Sequence, residues 1–445
     1  MELPSFDSLV AELAELIAIP SVSADPAHQA DVAAAAEWVA GRVRRAGGTA
    51  EVIPWGERPL VVGEVRASQS PETAPTILCY GHFDVQPPDP LDLWESAPFE
   101  LVERDDWLYA RGIADDKGQL FMLLKAAEVL AAAGALPVNL RFACDGEEEI
   151  GGHSIVDWVA ADERGADAAI VFDSGMVERD VPGFNIAVRG LCYFHIELRT
   201  GGRDLHSGMY GGASLNAMHA LTQTLSAVLP RDGRLPEPLR AGIVAPSDAE
   251  LGAWALLPAG PAEIAAAGSR PADPAAGDEF YIRTWAEPSV DVHGLEGGSP
   301  VLQKTVIPVA ARANVSIRLV GNQDPAVIAP AFEALLRAAA PEGTELEITM
   351  LSAAPPGLIP ADAPAVLLGL DAFEEVLGVR PLLVRSGGAI PLVSELAARG
   401  VATVLTGFAL NESNIHSPNE RIPAAYLPLG IEAAAALYRH LARLG

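Results

Sequence analysis

Apolar positions along the chain set out most of its elements. Phe6, Leu9, Val10, Leu13, Leu16 and Ile17 recur at helical spacing and predict an amphipathic first helix over 6–17, closed by Pro20 and the Ser21-Val22-Ser23 turn. A second helix is expected over about 30–46, stopped by Gly47-Gly48, with strands following around 50–54 and 60–66. The run Thr76-Ile77-Leu78-Cys79-Tyr80 reads as a buried strand that carries Gly81-His82-Phe83-Asp84-Val85-Gln86-Pro87 to its C-terminal edge. Residues 99–111 read as a hairpin turning at Arg104-Asp105-Asp106. They lead into Gly112-Ile113-Ala114-Asp115-Asp116-Lys117-Gly118 and a long helix to about 133. A strand over 138–144 opens into Asp145-Gly146-Glu147-Glu148-Glu149-Ile150-Gly151-Gly152, and a helix at 154–162 precedes a strand over 168–172 that ends at Asp173.

Strands alternating with helices, with acidic or histidine residues at successive strand ends, predict an α/β domain with a mostly parallel sheet. The texture then changes. A long strand over 186–199 is followed by a Gly-rich loop and a helix carrying Leu215, Met218, Leu221, Leu225 and Val228 on one side. Residues 230–300 are irregular and rich in Pro, Gly and Ala, and their pattern places no element. Strands over 306–310, 314–319 and 344–350 flank a helix at 325–339, which makes this stretch a separate α+β domain inserted into the first. After Ser352-Ala353-Ala354-Pro355-Pro356 the chain returns, with a helix over 363–376, strands over 381–384 and 402–405, and a final helix over 424–443.

At 445 residues, two domains are the default. The formal charge of -29 argues against nucleic acid or an anionic membrane as partner, since either needs a basic footprint. Three cysteines, Cys79, Cys144 and Cys192, are too few and too scattered for a disulfide framework or a thiolate zinc site. The start, Met1-Glu2-Leu3-Pro4, lacks the basic and apolar regions of a signal peptide, and the simplest expectation is a cytoplasmic protein.

His82, Asp84, Asp115, Asp116, Glu147, Glu148, Glu149, Asp173 and His416 each follow a predicted strand or lie in a polar turn. So many carboxylates at one sheet edge would repel unless cations sat among them. Mixed carboxylate and imidazole ligands suit zinc, manganese or cobalt better than calcium. Two such ions about 3.5–4 Å apart are the usual arrangement for hydrolases that activate a bridging water. Other chemistries lack their residues: the chain has no Gly-x-Ser-x-Gly elbow, no Gly-x-Gly pair and no His-Glu pair.

The order of six motifs resembles the carnosinase-type dipeptidases of the co-catalytic di-metal peptidase and aminoacylase family. They are Tyr80–Pro87, Tyr109-Ala110-Arg111-Gly112 through Asp115-Asp116-Lys117-Gly118, Asp145–Gly152, Asp173, Asp204-Leu205-His206-Ser207-Gly208, and His416-Ser417-Pro418-Asn419-Glu420. The resemblance spans nearly the whole chain. It implies that His82 and Asp173 bind one metal, Glu149 and His416 the second, and that Asp115 bridges them across a cis Asp115-Asp116 peptide. Glu148 would be the general base acting on a metal-bridging hydroxide, and Asp84 would orient His82. The ions implied are two divalent metals, zinc or manganese, with cobalt able to replace them in vitro.

In fold terms the resemblance implies a doubly wound, mostly parallel-sheet α/β catalytic domain (1–186 and 355–445) with an inserted α+β dimerisation or lid domain (187–354). A homodimer is implied, with His206 contributed in trans to stabilise the oxyanion. Arg318 would clamp the carboxylate of a small peptide substrate beside Thr305, Gly388 and Ala389. Ala389 departs from the family's usual Gly-Gly-Ser-Ile-Pro loop and removes a hydroxyl. The expected activity is hydrolysis of dipeptides or short peptides with a free C-terminal carboxylate. An N-acyl-amino-acid deacylase or desuccinylase on the same scaffold is the alternative. A silent binding protein is the third reading, and Glu148 beside five ligands argues against it.

Overall fold

The computed structural model describes residues 2–56, 58–388 and 390–444, and the chain divides into two compact units. One comprises 1–186, 359–384 and 395–445, and the other 187–358 and 385–394.

The first unit is built on a six-stranded sheet in the spatial order Thr49–Ile53, Leu60–Val65, Asn139–Asp145, Thr76–His82, Ala168–Phe172, Thr403–Thr406. The last four run parallel, while the first two join as an antiparallel hairpin at one edge. Every residue of Asn139–Asp145 and Ala168–Phe172 is buried; Ala168–Phe172 is apolar throughout, as suits a parallel strand covered on both faces, whereas Asn139–Asp145 alternates in sequence and buries Asn139, Arg141 and Asp145 as well. Lys117–Ala132 packs on Thr76–His82, and Tyr426–Leu441 packs on both Lys117–Ala132 and Pro364–Leu377. The hairpin forms as Val102–Arg104 and Trp107–Tyr109, with Asp105 and Asp106 at φ 49° and 63°, a left-handed turn that short Asx side chains tolerate.

The second unit holds a four-stranded antiparallel sheet in the order Ser289–Glu296, Ala310–Leu319, Gly190–Arg199, Glu345–Ala354. Alternation sorts its faces: Cys192, Phe194, Ile196 and Leu198 enter a core with Ala217–Leu225 and Pro325–Ala339, where Phe194 stacks on Phe332 at 4.6 Å.

Four sequence expectations change here. The strand over 186–199 breaks into Ala187–Val188, paired with Gly357–Leu358, and Gly190–Arg199. The break is packing: a Cβ on Gly190 would lie 2.6 Å from both Ala354 O and Pro356 N. The helix expected to carry Leu215 and Val228 spans only Ala217–Leu225, because Asn216 caps it with a side chain that accepts from Met218 N and His219 N. Pro308 interrupts the strand over 306–310, separating Val306–Ile307 from Ala310, which begins Ala310–Leu319. Finally, residues 385–394 fall in the second unit. Ser386 N donates to Ala187 O, Arg189 N donates to Gly388 O, and buried Arg385 pairs with Glu250 at 2.7 Å.

The unplaced stretch 230–300 contains the helices Asp248–Trp254 and Gly260–Ala266 as well as the edge strand Ser289–Glu296. No helix among the described residues is long and apolar enough to cross a membrane.

Candidate metal centre

The site grows from the C-terminal ends of the parallel strands, where open α/β sheets present their loops. His82 ends Thr76–His82 in register with Asp145 of the neighbouring strand, and Phe83 N continues the ladder to Asp145 O at 2.9 Å. Two chain crossings are thereby held side by side, the His82–Asp84 turn and the Glu147–Glu149 turn. Asp84 joins them. Its Oδ1 and Oδ2 accept the backbone N–H groups of Glu148 and Glu149 at 3.3 and 3.1 Å, and Oδ1 lies 3.3 Å from His82 Nδ1. The buried Asp84 carboxylate therefore fixes an imidazole and two glutamates together, with His82 Nδ1 also 3.1 Å from Asp84 O.

With Nδ1 so engaged, Nε2 of His82 faces Asp115 Oδ1 at 2.9 Å. The other oxygen, Asp115 Oδ2, lies 3.0 Å from His416 Nε2, which is also 3.0 Å from Glu149 Oε2. Asp115 thus stands between two histidines. Ligand atoms of His82, Asp115 and Glu149 all lie within 4.8 Å of one another. Gln86 Nε2 steadies Glu149 from the side, donating to its Oε2 at 2.9 Å.

Asp115 is aimed by its own loop. Gly112 takes φ +85° and a Cβ there would lie 2.7 Å from Val85 Cγ1, so glycine suits both the turn and the close approach. The Asp115–Asp116 peptide is cis, and Asp116 Oδ2 accepts from His82 N at 3.1 Å. Buried Glu420 accepts from Gly112 N, Ala114 N, Asp115 N and the Arg111 guanidinium at 3.0, 2.8, 3.1 and 2.6 Å. His416, on the loop that leads to Glu420, sits at φ 59°, a left-handed conformation that histidine adopts more readily than most side chains.

Electrostatics describes a site short of positive charge. Burial pushes Asp173 up to about 7 and Glu148 up to about 8, with repulsion from neighbouring carboxylates reinforcing it. His416 is pushed up to about 10 by its contacts with Asp115 and Glu149. Burial works to lower His82, but its contacts with Asp115 and Asp84 outweigh that and hold it well above the usual histidine range. Burial would likewise raise Asp115, yet His416 and His82 together hold it below the ordinary carboxylate range. Protons on the two imidazoles are the local counter-charge. The nearby buried Lys117 is turned elsewhere, donating to Leu16 O and Ile19 O. Oxygen and imidazole donors that converge in a charge-deficient setting, buried except for half-exposed His416, fit divalent metal ions.

Six of the expected residues therefore come together on one unit through direct contacts or shared anchoring: His82, Asp84, Asp115, Glu148, Glu149 and His416. Asp173 joins them through its field, at the end of Ala168–Phe172 beside Thr76–His82. His206, Thr305, Arg318 and Gly388 lie on the second unit. There His206 is exposed, its Nδ1 accepting from Gly208 N at 3.0 Å, and Ser207 N donates to Thr305 O at 3.0 Å. Arg318 is half-buried on Ala310–Leu319. Ala389 lies outside the described residues. Sequence reasoning gave no role to Glu420 or Gln86, although both stand inside its quoted motifs. The available signal was an acid four places after His416 and an amide two after Asp84, too generic to assign without contacts.

The profile of Peptidase family M20/M25/M40 matches residues 78–440. A Beta-Ala-His dipeptidase from Rattus norvegicus is 26% identical over 472 residues, covering 98% of this chain and 94% of that protein. A cysteinylglycine-S-conjugate dipeptidase from Corynebacterium striatum is 28% identical over 433 residues, covering 94% of this chain and 92% of that protein. Among solved structures, an M20-family metallo-carboxypeptidase from Sulfolobus solfataricus matches with a TM-score of 0.84 at 25% identity, covering 98% of this chain and 99% of that one.

Proposed function

The chain belongs to peptidase family M20/M25/M40, and from that premise we propose that it is a metal-dependent dipeptidase, cleaving dipeptides or short peptides that end in a free carboxylate. The observation that carries this reading is the chain of contacts His82–Asp115–His416–Glu149 with Glu148 beside it, anchored through its backbone on Asp84. His82 and Asp173 would hold one divalent ion, Glu149 and His416 another, with Asp115 between them. Zinc or manganese there would activate a water and polarise the scissile carbonyl.

Glu148 takes the proton of the attacking water and returns it to the leaving amine, a role for a carboxylate that sits among ligands without being one. Asp84 keeps the His82 ring in place and fixes the register of Glu148 against Glu149, so that base and ligand are not exchanged. His206 donates to the developing oxyanion, and Arg318 receives the substrate carboxylate with its forked guanidinium. We assign the second unit the lid and dimerisation role, with His206 serving the partner subunit's site in a cytoplasmic homodimer.

The test is a metal-resolved assay. Protein stripped with chelator is restored with zinc, manganese or cobalt and given dipeptides beside their N-acetylated counterparts. Metal-dependent cleavage of the free dipeptides supports the reading. Cleavage of only the acylated compounds moves the function to deacylase, and metal uptake without turnover of either set overturns the enzyme assignment.

A further inference from the structure

On the second unit, Arg189 touches the Gly387-Gly388 turn and the strand that pairs with the Arg318 strand. Its backbone N–H donates to Gly388 O at 2.8 Å, holding the Gly387-Gly388 turn against the chain just ahead of Gly190–Arg199. Its guanidinium reaches the start of the strand Ser289–Glu296, where Nη2 donates to Glu287 O at 3.1 Å and Ser289 Oγ at 3.0 Å. Ser289 is the register partner of Arg318 on one side, and Leu191 is its partner on the other. Opposed residues of an antiparallel pair project to one face, so Ser289, Leu191 and Arg318 share the face opposite the helix-covered core.

Charge makes this arrangement unusual. Arg189 is only 8% exposed, and its Nε is buried with no hydrogen-bond partner among the described residues. Burial, followed by the nearby charge of Arg318, pulls it down to about 10, with exposed Asp291 acting against them. Among the described residues neither guanidinium has an ion pair, and Arg318 has no side-chain hydrogen bond. In a chain of net charge -29, acidic partners are plentiful. Two neighbouring guanidiniums without an acidic partner make a locally positive place suited to an anion.

We propose that Arg189 is the positioning residue that joins the Arg318 strand and the Gly387-Gly388 turn into a single anion subsite, reserved for the C-terminal carboxylate of the substrate. This rests on the assignment of Arg318 as the carboxylate-binding residue. Arg318 presents its fork to the ligand. Arg189 behind it adds a second charge and sets the loop against that fork through one backbone bond and one guanidinium.

The experiment compares kcat and KM for alanylalanine and for its C-terminal amide, in the full-length wild type and in R318Q, R189Q and R189K. Arg189 makes no bond to the ligand in this arrangement, so R189Q loses its charge and its hold on the turn, and KM for the free acid is expected to rise roughly fivefold, the equivalent of about 1 kcal/mol of screened attraction. The amide KM is expected to stay unchanged. R189K, which retains the charge without the fork, is expected to fall between wild type and R189Q, and it carries the comparison if R189Q does not fold. A merely structural arginine would shift acid and amide alike, and that outcome overturns the proposal. If R318Q discriminates acid from amide and the Arg189 variants do not, the proposal falls and the Arg318 assignment stands. If R318Q itself fails to discriminate, the carboxylate assignment fails and the proposal falls with it.

Discussion

Glu420 Oε1 accepts the backbone N–H of Asp115 at 3.1 Å across 305 positions of sequence. The same carboxylate takes two further backbone N–H groups and the Arg111 guanidinium, so the loop that carries His416 and the loop that carries Asp115 are closed on one buried anion. Glu420→Gln places an amide NH2 against donors on one side of that hub. Metal affinity is expected to fall about 10- to 100-fold, the usual effect of losing a group that orients a ligand. Competition with a chromophoric chelator measures it, and an unchanged affinity would refute the hub. Because Arg111 is only 1% exposed, the variant is also expected to lose about 3 kcal/mol or more in thermal unfolding.

Glu148→Gln separates the base from the ligands. It is expected to lower kcat about 10²- to 10⁴-fold while metal stoichiometry stays at the wild-type value. Loss of metal along with activity would instead assign Glu148 as a ligand and shift the register of the triplet by one.

Metal uptake and protons compete at this site. Asp173, pushed up to about 7, and His416, pushed up to about 10, must both lose protons to act as ligands. Affinity is therefore expected to rise with pH, most steeply below about 7 where both groups hold protons and less steeply from there to about 10, with proton release that calorimetry in buffers of different ionisation enthalpy would count. The chelated protein responds in the opposite sense. Asp173 has a folded pKa above its unfolded one, so its contribution to stability is full at acid pH and is lost as pH rises through about 7. The increase in melting temperature on adding metal should accordingly be larger at pH 8 than at pH 6, and an equal increase would sink this account.

Gly118 lies in the first turn of Lys117–Ala132, where alanine would ordinarily favour the helix by about 1 kcal/mol. Here an added Cβ would lie 2.0 Å from Ile113 O, in the loop that leads to Asp115. Gly118→Ala is expected to destabilise the protein by about 1–3 kcal/mol and to weaken metal binding. A gain in stability in denaturant titrations would contradict the packing argument.

Away from the site, buried Arg42 lies against the rings of both Trp38 and Phe121 and pairs with Glu12 and Glu128 at 2.6 and 2.5 Å. Lys125 pairs with the same two acids. Burial raises the Glu12 carboxyl, but Lys125 and Arg42 outweigh it and hold it below the ordinary carboxylate value. Its contribution is therefore full above that ordinary value and is lost as pH falls through the depressed one. Arg42→Met is expected to destabilise by about 3 kcal/mol at neutral pH and to flatten the acid-side loss of stability. Urea titrations at several pH values would show whether both effects occur together.

Much of the first unit was legible because its determinants are local. Fully apolar runs mark buried parallel strands, and the polar residues just after them mark the sheet edge where ligands collect. His82 and Asp173 stand at such strand ends and Glu148 and Glu149 lie just beyond Asp145, whereas Asp115 sits in the loop after the hairpin strand Trp107–Tyr109, and the roles of all five came from the resemblance of the motifs. The second unit was harder to read because its elements depend on distant backbone. Nothing near Gly190 in sequence shows that Ala354 and Pro356 crowd it, and nothing in 230–300 shows that Ser289–Glu296 gains its place by pairing with Ala310–Leu319.

By itself the sequence determined the alternation of strands and helices, the donor types and their order, since periodicity and residue chemistry are properties of short segments. Only the tertiary structure decided which donors meet. It set His416 against Asp115 and Glu149, made Glu420 the anchor of both loops, and left Arg189 near Arg318 with no ion pair for either among the described residues. Those relations come from loop closure over long stretches of chain and from the low dielectric of a buried site. There an unpaired charge is costly, and each contact is selected by what surrounds it in space rather than along the chain.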